Sequence, residues 1–103
     1  MKLKLFGSRK IVTTATTAER LTDQEIYVPA VSIQAESDNT ADIFVGDKNV
    51  SSTNAAFVLD ARDLITITAQ TFGWANANIS LRDIWIDTDS SGDGVFWAYL
   101  ERM

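Results

Sequence analysis

The stretch Asp87-Thr88-Asp89-Ser90-Ser91-Gly92-Asp93-Gly94 comes closest to ligand chemistry in this chain. A calcium loop of the EF-hand type sets oxygen ligands at its first, third and fifth positions, glycine at the sixth and a bidentate acid at the twelfth. Counted from Asp87, the third, fifth and sixth positions are Asp89, Ser91 and Gly92. The twelfth is Ala98, inside an apolar run, so the bidentate ligand is missing. The simpler expectation is an acidic hairpin turn, with Gly92 and Gly94 supplying positive φ. Gly46-Asp47-Lys48-Asn49 lacks the spacing of a phosphate cradle and is read as a tight turn.

Other chemistry is bounded by what the sequence lacks. There is no histidine and no cysteine. That removes the usual general base, the usual zinc ligands and the Ser–His and Cys–His nucleophiles. A carboxylate pair can hydrolyse a glycosidic bond, but it needs a deep cleft, and a 103-residue chain offers little depth for one. The expectation is a protein that binds and assembles, not an enzyme, with no cofactor, no metal and no small-molecule substrate.

Two other groups of residues suit binding. Lys2, Lys4, Arg9 and Lys10 stand in the first ten residues with no acid among them. Leu3, Leu5 and Phe6 are interleaved with the lysines, a pattern that suits strand addition to a partner's sheet edge. The second group is aromatic: Phe72, Trp74, Trp85, Phe96, Trp97 and Tyr99 crowd the C-terminal third. Trp85 should point away from Ile84 and Ile86, onto a face shared with Asp83 and Asp87. One of Phe96 and Trp97 must point away from the core. Large exposed aromatics are enriched at interfaces. The interface residues expected are therefore Lys2, Lys4, Leu5, Phe6, Arg9, Lys10, Trp74 and Trp85.

The elements that would position these residues are strands. Turn residues recur at short intervals, with β-branched runs between them. Lys10–Thr17 reads as a first strand, and 18–26 as a loop. Pro29 marks an edge or a strand start. Val31, Ile33 and Ala35 alternate with polar residues, as do Ile65, Ile67 and Ala69. Ala41, Ile43 and Val45 alternate with Asp42 and Phe44, and 56–59 forms a short strand. Ile79 and Leu81 are out of phase with Ile84 and Ile86, so a bulge or tight turn near Arg82-Asp83 is required. Val95–Leu100 is apolar on both faces, which suits a central strand or one divided between core and interface. No helix of ordinary length is evident. The fold expected is an all-β antiparallel β-sandwich, jelly-roll-like or Ig-like, of about seven or eight short strands. Residues 1–9 would form an extended N-terminal arm and residues 10–103 the β-sandwich domain.

Taken in order, Val12-Thr13-Thr14-Ala15, Leu21, Val31-Ser32-Ile33-Gln34-Ala35, Asn39-Thr40-Ala41-Asp42-Ile43-Phe44-Val45-Gly46-Asp47, Val50-Ser51-Ser52-Thr53-Asn54, Leu81-Arg82-Asp83-Ile84-Trp85-Ile86-Asp87 and Val95–Tyr99 form a recognisable grammar. It resembles small β-sandwich structural proteins of tailed bacteriophages, of the capsid cement or decoration type, over about nine-tenths of the chain. The chain departs from that pattern at Asn39-Thr40-Ala41-Asp42, Asn54-Ala55 and Asp60-Ala61-Arg62-Asp63, where relatives carry glycine turns. The resemblance implies a virion component on the capsid exterior, made in the host cytoplasm. Its partner would be the major capsid protein, and it would form a homo-oligomer, dimer or trimer. Tail or head-fibre modules and carbohydrate-binding modules are the alternatives. Neither nucleic acid nor membrane is an expected partner. The net charge is −5, with ten acids against three basic residues over 36–93. No apolar run is long enough for a membrane span.

Overall fold

A computed structural model describes residues 2–74 and 76–102 of the chain. Met1 and Met103, which open the expected arm and close the expected domain, lie outside the described residues. Among the described residues the chain is mostly β, with two single-turn 3₁₀ segments. In order the strands are β1 (Leu3–Ile11), β2 (Glu19–Arg20), β3 (Tyr27–Val28), β4 (Ala30–Ala35), β5 (Ile43–Gly46), β6 (Phe57–Leu59), β7 (Leu64–Thr68), β8 (Ile79–Ser80), β9 (Trp85–Thr88) and β10 (Gly94–Arg102). They form three antiparallel sheets, ordered β1-β10-β4-β7, β2-β9-β5-β6 and β3-β8.

The two four-stranded sheets share one core. Val31, Ile33 and Ala35 of β4 and Val95 and Trp97 of β10 meet Ile43 and Val45 of β5, Leu59 of β6 and Ile86 of β9. Val12, Leu21, Val28 and Leu81 close it from the connections and short strands. Alternation in β4 is as expected, and Ile65 and Ile67 of β7 pack against the same core. The phase slip before β9 is taken up by the 3₁₀ turn Leu81–Asp83, with Leu81 fully buried. Pro29 stands at the start of β4.

Four expectations need correction. The first strand runs from Leu3 to Ile11, not from Lys10 to Thr17. The Thr13–Thr17 run turns instead, because the Glu19 carboxylate accepts the backbone N–H groups of Thr13 and Thr14, at 2.9 and 3.0 Å. Thr16 there has φ of 64°. The arm predicted for 1–9 is, from Leu3 onward, an edge strand paired along its whole length with β10. Lys and Leu side chains alternate there because the segment is a strand of this chain's own sheet. Phe44 is buried beside Ile43 and Val45, so β5 is covered on both faces. Finally, 89–93 is not a hairpin, because β9 and β10 belong to different sheets. It is the crossing between them.

That crossing depends on two residues for different reasons. Gly92 has φ of 96°, which favours glycine. Gly94 does not need positive φ; it needs space. A Cβ there would sit 2.5 Å from the Lys10 carbonyl oxygen and 2.7 Å from Ile11 Cδ1. Gly94→Ala is expected to destabilise the fold by about 1–3 kcal/mol through overpacking. Gly73→Ala, where no atom lies within 4 Å, should lose less, through backbone strain alone (φ 85°). Urea denaturation of both variants checks the order.

Candidate functional site

The pairing registers decide which side chains share a face. Leu5 of β1 stands opposite Leu100 of β10, Gly7 opposite Ala98, and Arg9 opposite Phe96. Ala98 in turn stands opposite Ser32 of β4, and Phe96 opposite Gln34. Ser32 stands opposite Thr66 of β7, and Gln34 opposite Leu64. Since Val95, Trp97, Ile33 and Ala35 face the core, these residues form the outer face of the β1-β10-β4-β7 sheet.

The outer face has relief. In one rank Leu5 of β1 and Leu100 of β10 form a ridge of large apolar side chains, which falls away to Ala30 of β4 and Thr68 of β7. The next, Gly7, Ala98, Ser32 and Thr66, is a trough of small ones. The third, Arg9, Phe96, Gln34 and Leu64, rises again. Ranks two residues apart along a strand lie about 6.6–6.8 Å from each other. Two shallow clefts of about 430 and 540 Å³ follow this trough and its flanks. Leu3, Leu5, Leu64, Phe96 and Leu100 are each more than half exposed. No acid stands in these ranks. Arg9 is held by Glu36, which is buried at the corner of the sheet, and its guanidinium lies 6.0 Å from the Phe96 ring centroid. The hydrogen bond to Glu36 holds the Arg9 guanidinium above its ordinary range.

The residues expected at an interface are dispersed. Leu5 and Arg9 lie on this outer face. Lys4, Phe6 and Lys10 are on the opposite face of β1. Lys4 Nζ is 4.9 Å from the Phe6 ring centroid, and Phe6 stacks on Tyr99, which stacks on Trp97. Lys10 Nζ bonds the Glu19 carboxylate at 3.0 Å. Burial pushes the Glu19 carboxyl up, but the bonds from Thr14, Lys10 and Thr13 outweigh it and hold it below the ordinary range. Lys2 is exposed just before β1. Trp74 is exposed beyond the 3₁₀ turn Gln70–Phe72. Trp85 is half-buried in the other large sheet, with the Arg20 guanidinium 5.1 Å from its ring. Of the two aromatics Phe96 and Trp97, Phe96 is the one that leaves the core, and Leu3 of the basic segment joins it on this face together with Leu64 and Leu100. Their signal lay in the register of three strand pairs, which one sequence does not reveal.

The 87–94 stretch is used structurally. Asp93 is buried, and its carboxylate accepts the backbone N–H groups of Thr40, at 3.0 Å, and Ala41, at 2.7 Å. The Asn39 side chain donates to the Gly94 carbonyl and accepts from its N–H, both at 2.9 Å. Asp87 is buried, with Oδ1 accepting from the Thr88 N–H. Among the described residues no three acidic side chains converge as a metal site would require. A separate acidic group lies one step beyond the Ile43–Leu59 and Ile43–Thr88 pairs, where register sets Asp42 between Asp60 and Asp89. Hydrogen bonding to Asp60, then burial and the charges of Asp60, Asp63 and Asp89, push the Asp42 carboxyl up.

No protein-family model, no curated protein and no solved structure matches this chain.

The raised Asp42 carboxyl predicts a pH dependence. A carboxyl raised on folding favours the folded state below its unfolded pKa, and that contribution is lost as pH rises through the folded value. Asp42→Asn should therefore raise the melting temperature at pH 7. The gain should vanish below about pH 4, where the unfolded carboxyl is also protonated. Thermal melts of both proteins across pH 3–8 check this.

Proposed function

We propose that this is a non-enzymatic structural protein that works by docking, and that it serves as a capsid cement or decoration protein of a tailed-phage particle. The observation that carries the docking role is the outer face of the β1-β10-β4-β7 sheet. Five large apolar side chains, each more than half exposed, stand on one side of one sheet with no acid in their ranks. Scattered exposed apolar residues need no explanation, but a contiguous patch on a soluble domain marks an interaction surface.

The absence of His and Cys supports a binding role over a catalytic one. Two four-stranded sheets around one core support the sandwich reading of the fold. The jelly-roll-like or Ig-like type, and the virion setting, rest on the strand-and-turn grammar of residues 10–100. In this reading the ribbon of β1 and β10, which runs on past the end of the β4 pairing, replaces a free arm. It carries Lys2 and Lys4 towards a neighbouring subunit.

The mechanism is thermodynamic. A protein that binds the assembled shell and not its separated subunits stabilises the shell by mass action. Many identical weak contacts to the major capsid protein add through multivalency. The three tryptophans do not form a sugar-stacking row: Trp74 is exposed in a loop, Trp85 lies under Arg20, and Trp97 is buried.

Quantitative mass spectrometry of purified particles tests the reading. The expected result is one copy per one or a few major capsid subunits. A few to a few tens of copies per particle would place the protein in a tail or head fibre instead. Absence from particles would overturn the virion reading.

A further inference from the structure

The docking face carries a more specific message about its occupant. We propose that the outer face of the β1-β10-β4-β7 sheet binds a second copy of itself, giving a two-fold symmetric dimer packed sheet against sheet. The inference rests on the docking role assigned to that face, and it leaves the contacts to the major capsid protein to the β1–β10 ribbon that carries Lys2 and Lys4.

The first argument is shape. The Leu5–Leu100 ridge lies directly beside the trough of Gly7, Ala98, Ser32 and Thr66. A two-fold axis in the plane of the face, perpendicular to the strands and midway between these ranks, exchanges them. The ridge of each copy then enters the trough of the other. This is the reciprocal contact an isologous interface requires. The Phe96–Leu64 rank on the far side of the trough supplies its second wall. A face made only of ridges would not be complementary to itself.

Charge is the second argument. The chain carries a net −5, and most of its surface should repel a copy of itself. This face is the exception. Its ranks hold Arg9, paired with the buried Glu36, Arg102 opposite Leu3, and no acid. The Asp42–Asp60–Asp63–Asp89 group belongs to the other large sheet and its connections.

Area is the third. Four strands about 4.8 Å apart and about 20–30 Å long present roughly 400–550 Å² in projection. Corrugated side chains expose more than their projection, which brings the face close to the ~800 Å² per partner of a standard stable interface.

The edge of β1 is a poor alternative route to a second copy. An antiparallel β1–β1 pair centred on Gly7 sets Lys4 opposite Lys10 and Leu5 opposite Arg9. Like charges directly opposite one another destabilise a strand pair, and lysine on an edge strand blunts it.

Analytical ultracentrifugation of the purified chain from 1 to 200 µM tests the proposal. The wild type should pass from monomer to dimer within this range, with little dependence on salt. Leu100→Lys, which puts a charge on the ridge, should weaken the dimer at least tenfold. Ala98→Leu, which fills the trough with an apolar group, should do the same, and this separates shape from charge. Val58→Lys changes an exposed residue of β6 in the other large sheet and should leave the dimer intact. Circular dichroism of each variant confirms that it folds. A wild type that stays monomeric at 200 µM would overturn the dimer, as would a dimer indifferent to both face variants. Neither result touches the docking role, whose failure appears separately as absence from particles.

Discussion

The structure depends on the ladder between β1 and β10. Nine consecutive residue pairs join them, from Leu3–Arg102 to Ile11–Gly94. Because side chains alternate strictly along a strand, this one register assigns every side chain of both strands to a face. Val95 and Trp97 go to the core, while Phe96, Ala98 and Leu100 go outward with Leu5 and Gly7. A slip of β10 by one residue would turn Val95 and Trp97 outward and Phe96, Ala98 and Leu100 inward. The register is fixed at its end by Gly94, which lies too close to Lys10 and Ile11 to carry a side chain. Asp93 beside it ties the crossing to Thr40 and Ala41.

One of the two large sheets has an open apolar face and the other does not. In the β2-β9-β5-β6 sheet, the outward Phe44 and Asp87 are buried, and Val50 from the following loop lies against Gly46. In the β1-β10-β4-β7 sheet, nothing in the described chain covers Leu5, Phe96 or Leu64. A domain of this size has enough apolar residues for one core, and this chain carries a second apolar surface besides. Leaving that surface in water is costly at about 25 cal/mol for each Å². An assembly that covers it recovers part of that cost, offset by the freedom lost on association.

Much of the strand content was legible from sequence. Val31, Ile33 and Ala35 alternate cleanly, and the phase slip at Arg82-Asp83 demanded the turn that Leu81–Asp83 makes. The apolar double face of Val95–Leu100 announced a strand divided between core and outside. The Thr13–Thr17 run misled because β-propensity is local, while the Glu19 carboxylate that turns it comes from further along the chain. Residues 1–9 misled in the opposite direction. Their alternation is that of a strand, and its partner, β10, lies at the far end of the sequence. The outer apolar face was only half legible for the same reason. Leu5 stood out by its basic neighbours, but Leu64, Phe96 and Leu100 join it only through three separate registers.

The most direct measurement of the central claim, that the outer face is an assembly surface, is hydroxyl-radical footprinting of the purified chain at increasing concentration. The account predicts progressive protection of Leu3, Leu5, Leu64, Phe96 and Leu100, with Val58 and Trp74 labelled as before. Unchanged labelling of those five, or protection centred on Val58 and the other large sheet, would contradict it.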